Sequence, residues 1–181
     1  MATSATAMRS AAALALAALL AACAAVPPAE PLAPRLGRPL APAEAARADT
    51  TVFPDGRGLP PGRGSVAEGR ALYVARCAAC HGADGTGGSG GRLVGRAPLT
   101  ASPWPEKTVG QYWPYATTLY DYLRRAMPID APGSLGADEA YALSAWLLHA
   151  NGIVAADAVL DAATLAAVRM PNREGFERAA R

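Results

Sequence analysis

Between residues 65 and 150 the apolar positions recur at helical rather than strand spacing, in three separate segments. Ser65 and Glu68 have the spacing of a capping box, which predicts a helix over Val66 to Cys77. Its apolar face is expected at Ala71, Leu72, Val74 and Ala75, with Gly69 and Tyr73 one turn apart on a neighbouring stripe. Thr118-x-x-Asp121 predicts the start of a second helix, Leu119 to Ala126, with Leu119, Tyr122, Leu123 and Ala126 facing inward. Met127-Pro128 ends it, because proline cannot continue the backbone ladder. A third helix, Ala137 to Ala150, places Ala140, Leu143, Trp146 and Leu147 at core spacing and stops at Asn151-Gly152. No segment alternates convincingly, so the expected fold is all-α with about three main helices. Between the first two helices, residues 82–91 hold six glycines in ten positions, a loop lying close to other backbone or to a bound group. A phosphate-binding loop would need a preceding strand and a Gly-Lys-Ser/Thr ending, and neither is present.

The flanks read differently. Residues 1–22 have the form of an export signal, with Arg9 followed by an Ala/Leu run, Ala11 to Ala22, too short to span a bilayer. Leu20-Ala21-Ala22-Cys23 resembles the lipobox of bacterial lipoproteins, which predicts a lipid anchor at Cys23; ordinary cleavage nearby would instead leave Cys23 in the discarded peptide or as a stray thiol. Residues 23–64 are rich in Pro, Ala, Gly and Arg, and read as a semi-extended tether. The expected organisation is a signal over 1–22, a tether over 23–64, one small domain over 65–152 and an extension over 153–181 that packs on it. The formal charge of +2, with basic residues spread along the chain, gives no argument for nucleic acid. No carboxylate pair, nucleophile triad or second metal cluster is evident.

At the end of the first helix stands Cys77-Ala78-Ala79-Cys80-His81. Two thiols three residues apart point the same way from a helical turn, so each can form a thioether with one haem vinyl group while the adjacent imidazole lies under the iron. The motif predicts one covalently bound haem c, attached outside the cytoplasm. A redox-active dithiol would need a βαβ context, and a zinc site more ligands than Cys23 and His149 add.

These parts together resemble the class I cytochromes c: a helix ending in Cys-x-x-Cys-His, a glycine-rich loop, an Ala-Met-Pro loop and a terminal amphipathic helix. The resemblance implies that the first and last helices cross at Gly69, Tyr73 and Trp146. Four segments are similar to the cytochrome subunits of bacterial sulfite dehydrogenases and sulfur-oxidising complexes. They are Tyr112-Trp113-Pro114-Tyr115-Ala116-Thr117-Thr118, Tyr122-Leu123-Arg124-Arg125-Ala126-Met127-Pro128, Asp130-Ala131-Pro132-Gly133-Ser134-Leu135 and Arg169-Met170-Pro171-Asn172-Arg173. The similarity covers about residues 52–176.

The resemblance implies Met127 as sixth iron ligand opposite His81, since it follows a helix, precedes a proline and matches the methionine loop. Met170, in a second Met-Pro pair, is the competitor and is read as anchoring the extension. His149 is read as a surface residue near a helix C-terminus. Trp104, Tyr112, Trp113 and Tyr115 fit packing against haem or ordinary core, and Arg92, Arg96, Lys107, Arg124 and Arg125 fit propionate neutralisation, a docking rim or a solvated face. Many class I cytochromes have a proline after the motif whose carbonyl orients the axial His; here the first is Pro98. The implied function is a monohaem periplasmic electron carrier, not itself an enzyme. It accepts electrons from a molybdenum-containing sulfite or sulfur dehydrogenase and passes them to another cytochrome or a terminal oxidase. The rival readings are a haem enzyme acting on peroxide or a small sulfur species, which needs an open sixth position, and a sensor or docking module anchored by Cys23.

Overall fold

A computed structural model describes residues 37–95, 97, 99–101 and 103–177. The export signal, the lipobox with Cys23, Arg96 and Pro98 lie outside the described residues. The chain divides into two units, Met1–Ala45 and Ala46–Arg181. In the first, Glu44 pairs with Arg38 at 2.7 Å and accepts from the Ala41 amide at 2.9 Å, at the start of helix α1 (Pro42–Ala48).

Helix α2 (Val66–Arg76) begins at the predicted capping box: the Glu68 amide donates to Ser65 Oγ at 3.2 Å and the Ser65 amide to Glu68 Oε2 at 2.8 Å. Its buried face is Val66, Gly69 and Tyr73, whereas Val74 is 59 % exposed and Ala71 and Ala75 are exposed too. The expected apolar face is therefore not the buried one. Alanine offers little area to bury, and close approach to another helix at Gly69 decides which side turns inward. A single turn, α3 (Ala78–His81), follows.

Helix α4 (Ala116–Ala126) starts three residues earlier than expected, with Tyr115 as its cap, so the Thr118-x-x-Asp121 box is not formed. The face Ala116, Leu119, Tyr120, Leu123 has spacing i, i+3, i+4, i+7, and burying it outweighs a local cap. Tyr122, expected inside, is 45 % exposed. Asp121 is buried; it accepts from the Val52 amide at 3.1 Å and pairs with Arg125 one turn on. Helix α5 (Ala137–Ala150) has the predicted bounds and is buried from Ala140 to Leu148, so it is the central element of the core.

One two-stranded antiparallel sheet departs from the all-α expectation: β1 (Arg63–Ser65) pairs with β2 (Val159–Asp161), Gly64 opposite Leu160. Three-residue strands are too short for alternation to register in a sequence. Asp161 then caps helix α6 (Ala162–Ala167), accepting from the Thr164 amide at 2.9 Å. Leu160, Leu165 and Met170 are all buried in the same core as α5. Upstream, Val52 is buried, and Tyr141 donates to the Pro60 carbonyl at 2.9 Å. Residues from Val52 to Gly64, within the expected tether, are therefore fixed to the domain by partners distant in sequence, which their composition hides.

Helices α2 and α5 meet where Tyr73 stacks on Trp146, ring centroids 3.8 Å apart and planes at 28°. A Cβ on Gly69 would overlap the Ala142 carbonyl and lie 2.9 Å from Trp146 Cβ. Gly69→Ala is expected to lower stability by roughly 1–3 kcal/mol, read as a fall in denaturation midpoint; an unchanged midpoint would contradict this crossing. A second expectation concerns pH. Tyr73, Tyr120 and Tyr141 are fully buried, and burial pushes Tyr73 and Tyr141 up to about 12 and Tyr120 upward as well. A raised folded-state value means full stability below about pH 10 and loss as pH rises toward 12, at about 1.4 kcal/mol per pH unit for each tyrosine. Denaturation at stepped pH checks this, and tyrosinate absorbance from these three rings in a still-folded protein at pH 10 to 11 would contradict it.

Candidate haem-binding site

Cys77 joins the two helical pieces: its amide donates to the Tyr73 carbonyl at 2.8 Å, and its own carbonyl accepts from Cys80 at 3.2 Å and His81 at 3.0 Å. The motif is thus one compact turn, and residues three apart on a turn share a side. Cys77 is half-buried and packs against the core, while Cys80 is exposed, and both are free thiols. Burial pushes the Cys77 thiol up, with Arg76 only opposing that effect.

The glycine-rich loop folds back over the motif. Gly90 donates to the Cys80 carbonyl at 2.7 Å and Gly87 to the His81 carbonyl at 2.9 Å, and Tyr73 Oη donates to the Gly82 carbonyl at 2.7 Å. His81 Nδ1 lies 2.7 Å from the Gly91 carbonyl oxygen. A carbonyl only accepts, so Nδ1 donates to it and Nε2 is the ring nitrogen left for a metal. A Cβ on Gly90 would lie 2.9 Å from both His81 Cε1 and Nδ1, so the imidazole occupies its place because residue 90 has no side chain. The ring-orienting carbonyl, which many class I cytochromes take from a proline, comes here from Gly91. The sequence carries no signal for it beyond the density of glycines.

Met127 caps the end of α4, its amide donating to the Leu123 carbonyl at 3.1 Å. It is half-buried and packs on the same core as Cys77, Leu93 and Trp113, with Trp113 edge-on to Tyr122 at 5.5 Å. Arg76, at the end of the motif helix, reaches Ser134 Oγ at 2.6 Å and Glu139 at 3.7 Å, tying α2 to the loop that follows Met127. Met170, by contrast, is only 1 % exposed and belongs to the core. His149 is half-buried rather than a surface residue, with Nδ1 3.1 Å from the Val154 carbonyl. The aromatic cluster separates. Trp104 is 89 % exposed, whereas Tyr112 meets Phe176 edge-on at 5.3 Å under Lys107, and Tyr115 lies under Arg173 at 4.7 Å. Arg92 pairs with Glu106 at 3.0 Å and Arg125 with Asp121, so these cations have protein partners.

Residues 64–147 match the family described as cytochrome C oxidase, cbb3-type, subunit III. The structure is also similar to that of a chain in the sulfane dehydrogenase SoxCD from Paracoccus pantotrophus, with a TM-score of 0.73 and 45% identity over 79% of this chain and 71% of that one. The chain belongs to the class I cytochromes c. No curated protein matches it.

The cytochrome's family implies haem c, and its residues fit that group. Two thiols project from one turn, an imidazole has its Nδ1 engaged by the Gly91 carbonyl and its Nε2 left as the nitrogen for a metal, and Leu93, Trp113 and Met127 leave apolar surface only partly covered. The cytochrome is an electron carrier related in structure to a component of a sulfur dehydrogenase. Among its described residues no helix is long and apolar enough to cross a membrane.

Proposed function

We propose that this cytochrome carries a single haem c, which Cys77 and Cys80 would attach and whose iron His81 Nε2 and Met127 Sδ would hold. It accepts electrons from a molybdenum-containing sulfite or sulfur dehydrogenase and hands them to another cytochrome or a terminal oxidase. The observation that carries the reading is the 45% identity to a chain of the sulfane dehydrogenase SoxCD, extending over 79% of this one. Haem supplies a one-electron centre, and a thioether ligand favours its ferrous form, which suits an acceptor. The chain's part is to hold that centre: the Gly91 carbonyl fixes the imidazole, and the Arg76 tie to Ser134 steadies the loop after Met127.

The proposed compartment is the periplasm, with a lipid anchor at Cys23. Cys23→Ala is expected to move the protein from the membrane fraction to the soluble periplasmic fraction; unchanged fractionation contradicts the anchor. The functional test is anaerobic reduction of the purified cytochrome by sulfite or a sulfane-sulfur compound, with and without a molybdenum-containing periplasmic fraction. Reduction only with that fraction is the expected result. Reduction by the sulfur compound alone assigns direct haem chemistry instead, and absence of reduction in both contradicts the proposed donor.

A further inference from the structure

We propose that Asn151 is a positioning residue for His81, acting through the 91–95 loop to hold the Gly91 carbonyl on the imidazole. Gly91 is exposed and a Cβ there would meet no atom within 4 Å, so no packing of its own fixes it. The place of its carbonyl is therefore set by its neighbours. On one side the Gly90 amide is bound to the Cys80 carbonyl at 2.7 Å. On the other, Leu93 and Gly95 are bound to Asn151, whose Oδ1 accepts from the Gly95 amide at 3.1 Å and whose Nδ2 donates to the Leu93 carbonyl at 3.2 Å. The same Nδ2 donates to the Leu147 carbonyl at 2.8 Å, so the amide spans from the last turn of α5 to the loop.

Asn151 is 6 % exposed, and Gly110 lies flat against it, where a Cβ would fall 2.6 Å from Oδ1. Other ties converge on the same short segment: Leu93 and Val94 donate to the Gly85 carbonyl at 2.8 and 2.9 Å, and Thr108 Oγ1 donates to the Gly95 carbonyl at 3.2 Å. Among the described residues, Asn151 is the one whose side chain hydrogen-bonds this segment to the end of the central helix. A C-cap position needs no buried amide with both ends satisfied; glycine or a solvated side chain serves there. The particular contribution of Asn is a donor and an acceptor on one rigid plane, matching one carbonyl and one amide two residues apart. A carboxylate of the same shape keeps the acceptor and loses the donor.

The inference rests on His81 being the iron ligand. The test is Asn151→Asp in the haem-loaded, reduced protein, reading exchange of the His81 Nδ1 proton by NMR against the amide of Leu143 in the core. The expected result is exchange at Nδ1 accelerated about tenfold more than at Leu143, the loss of roughly one hydrogen bond's worth of local protection. Equal acceleration of both would make Asn151 merely structural and overturn the proposal. In the unaltered protein, which needs no variant to fold, the Gly95 amide and the His81 Nδ1 proton are expected to show the same opening constant once each rate is divided by the intrinsic rate of its own group. Opening constants differing by more than tenfold, about 1.4 kcal/mol, would mean that the loop and the imidazole open independently, which also overturns it. A haem spectrum without a histidine ligand would instead overturn the underlying ligand assignment, so the two failures are distinct.

Discussion

Cys77→Ala with Cys80→Ala yields a protein with no covalent haem, judged by haem staining after denaturing electrophoresis. The effect is all-or-none because these are the two cysteines among the described residues, and they sit on one turn held by the Cys77 carbonyl. The loss also reaches the fold. Leu93, Trp113 and Met127 are only half-covered by protein, and a bound macrocycle removes more of that apolar surface from water at about 25 cal/mol per Å². Melting temperature is therefore expected to fall in step with haem content, since a ligand that binds only the native state stabilises it. Haem staining that survives the double substitution contradicts the attachment.

Met127→Ala is expected to lower the midpoint potential by on the order of a hundred millivolts, because axial ligands set haem potentials over a range of ~0.8 V and methionine sits toward the upper end. It is also expected to let cyanide and carbon monoxide reach the iron, which the proposed methionine ligation would prevent in the unaltered protein. Met170→Ala supplies the contrast. Its side chain is 1 % exposed within the core, so truncation is expected to cost about 2–5 kcal/mol of stability and leave the potential in place. Redox titration of both variants decides the matter: a potential unmoved by Met127→Ala and lowered by Met170→Ala would exchange their roles.

What the sequence made legible followed from short-range physics. The Ser65 and Glu68 capping box and the bounds of α5 depend on residues within one or two turns, and both stand in the structure as read. The crossing at Gly69 was legible through resemblance, and the Cβ overlap with Ala142 gives its physical reason. Where packing competes with local signals, the reading failed. Thr118 and Asp121 have the spacing of a cap, yet Ala116, Leu119, Tyr120 and Leu123 bury a face that pulls α4 three residues earlier and turns Asp121 toward Val52. The β1 and β2 pair and the fixed stretch from Val52 to Gly64 depend on partners about a hundred or seventy residues away, which no window contains. Within the candidate site, the grouping of Cys77, Cys80 and His81 on one turn was legible because side-chain chemistry and spacing name them. Gly91 was not, because it acts through a carbonyl that every residue has, and Asn151 was not, because Asn before Gly already explains a helix end.

The most direct test of the central claim is the intact mass of the denatured protein after export in a host that attaches haem c, followed by peptide mapping. The account predicts the mass of the polypeptide plus one haem, with the addition on the peptide containing Cys77, Cys80 and His81. An exported, folded protein whose mass is that of the polypeptide alone would contradict it.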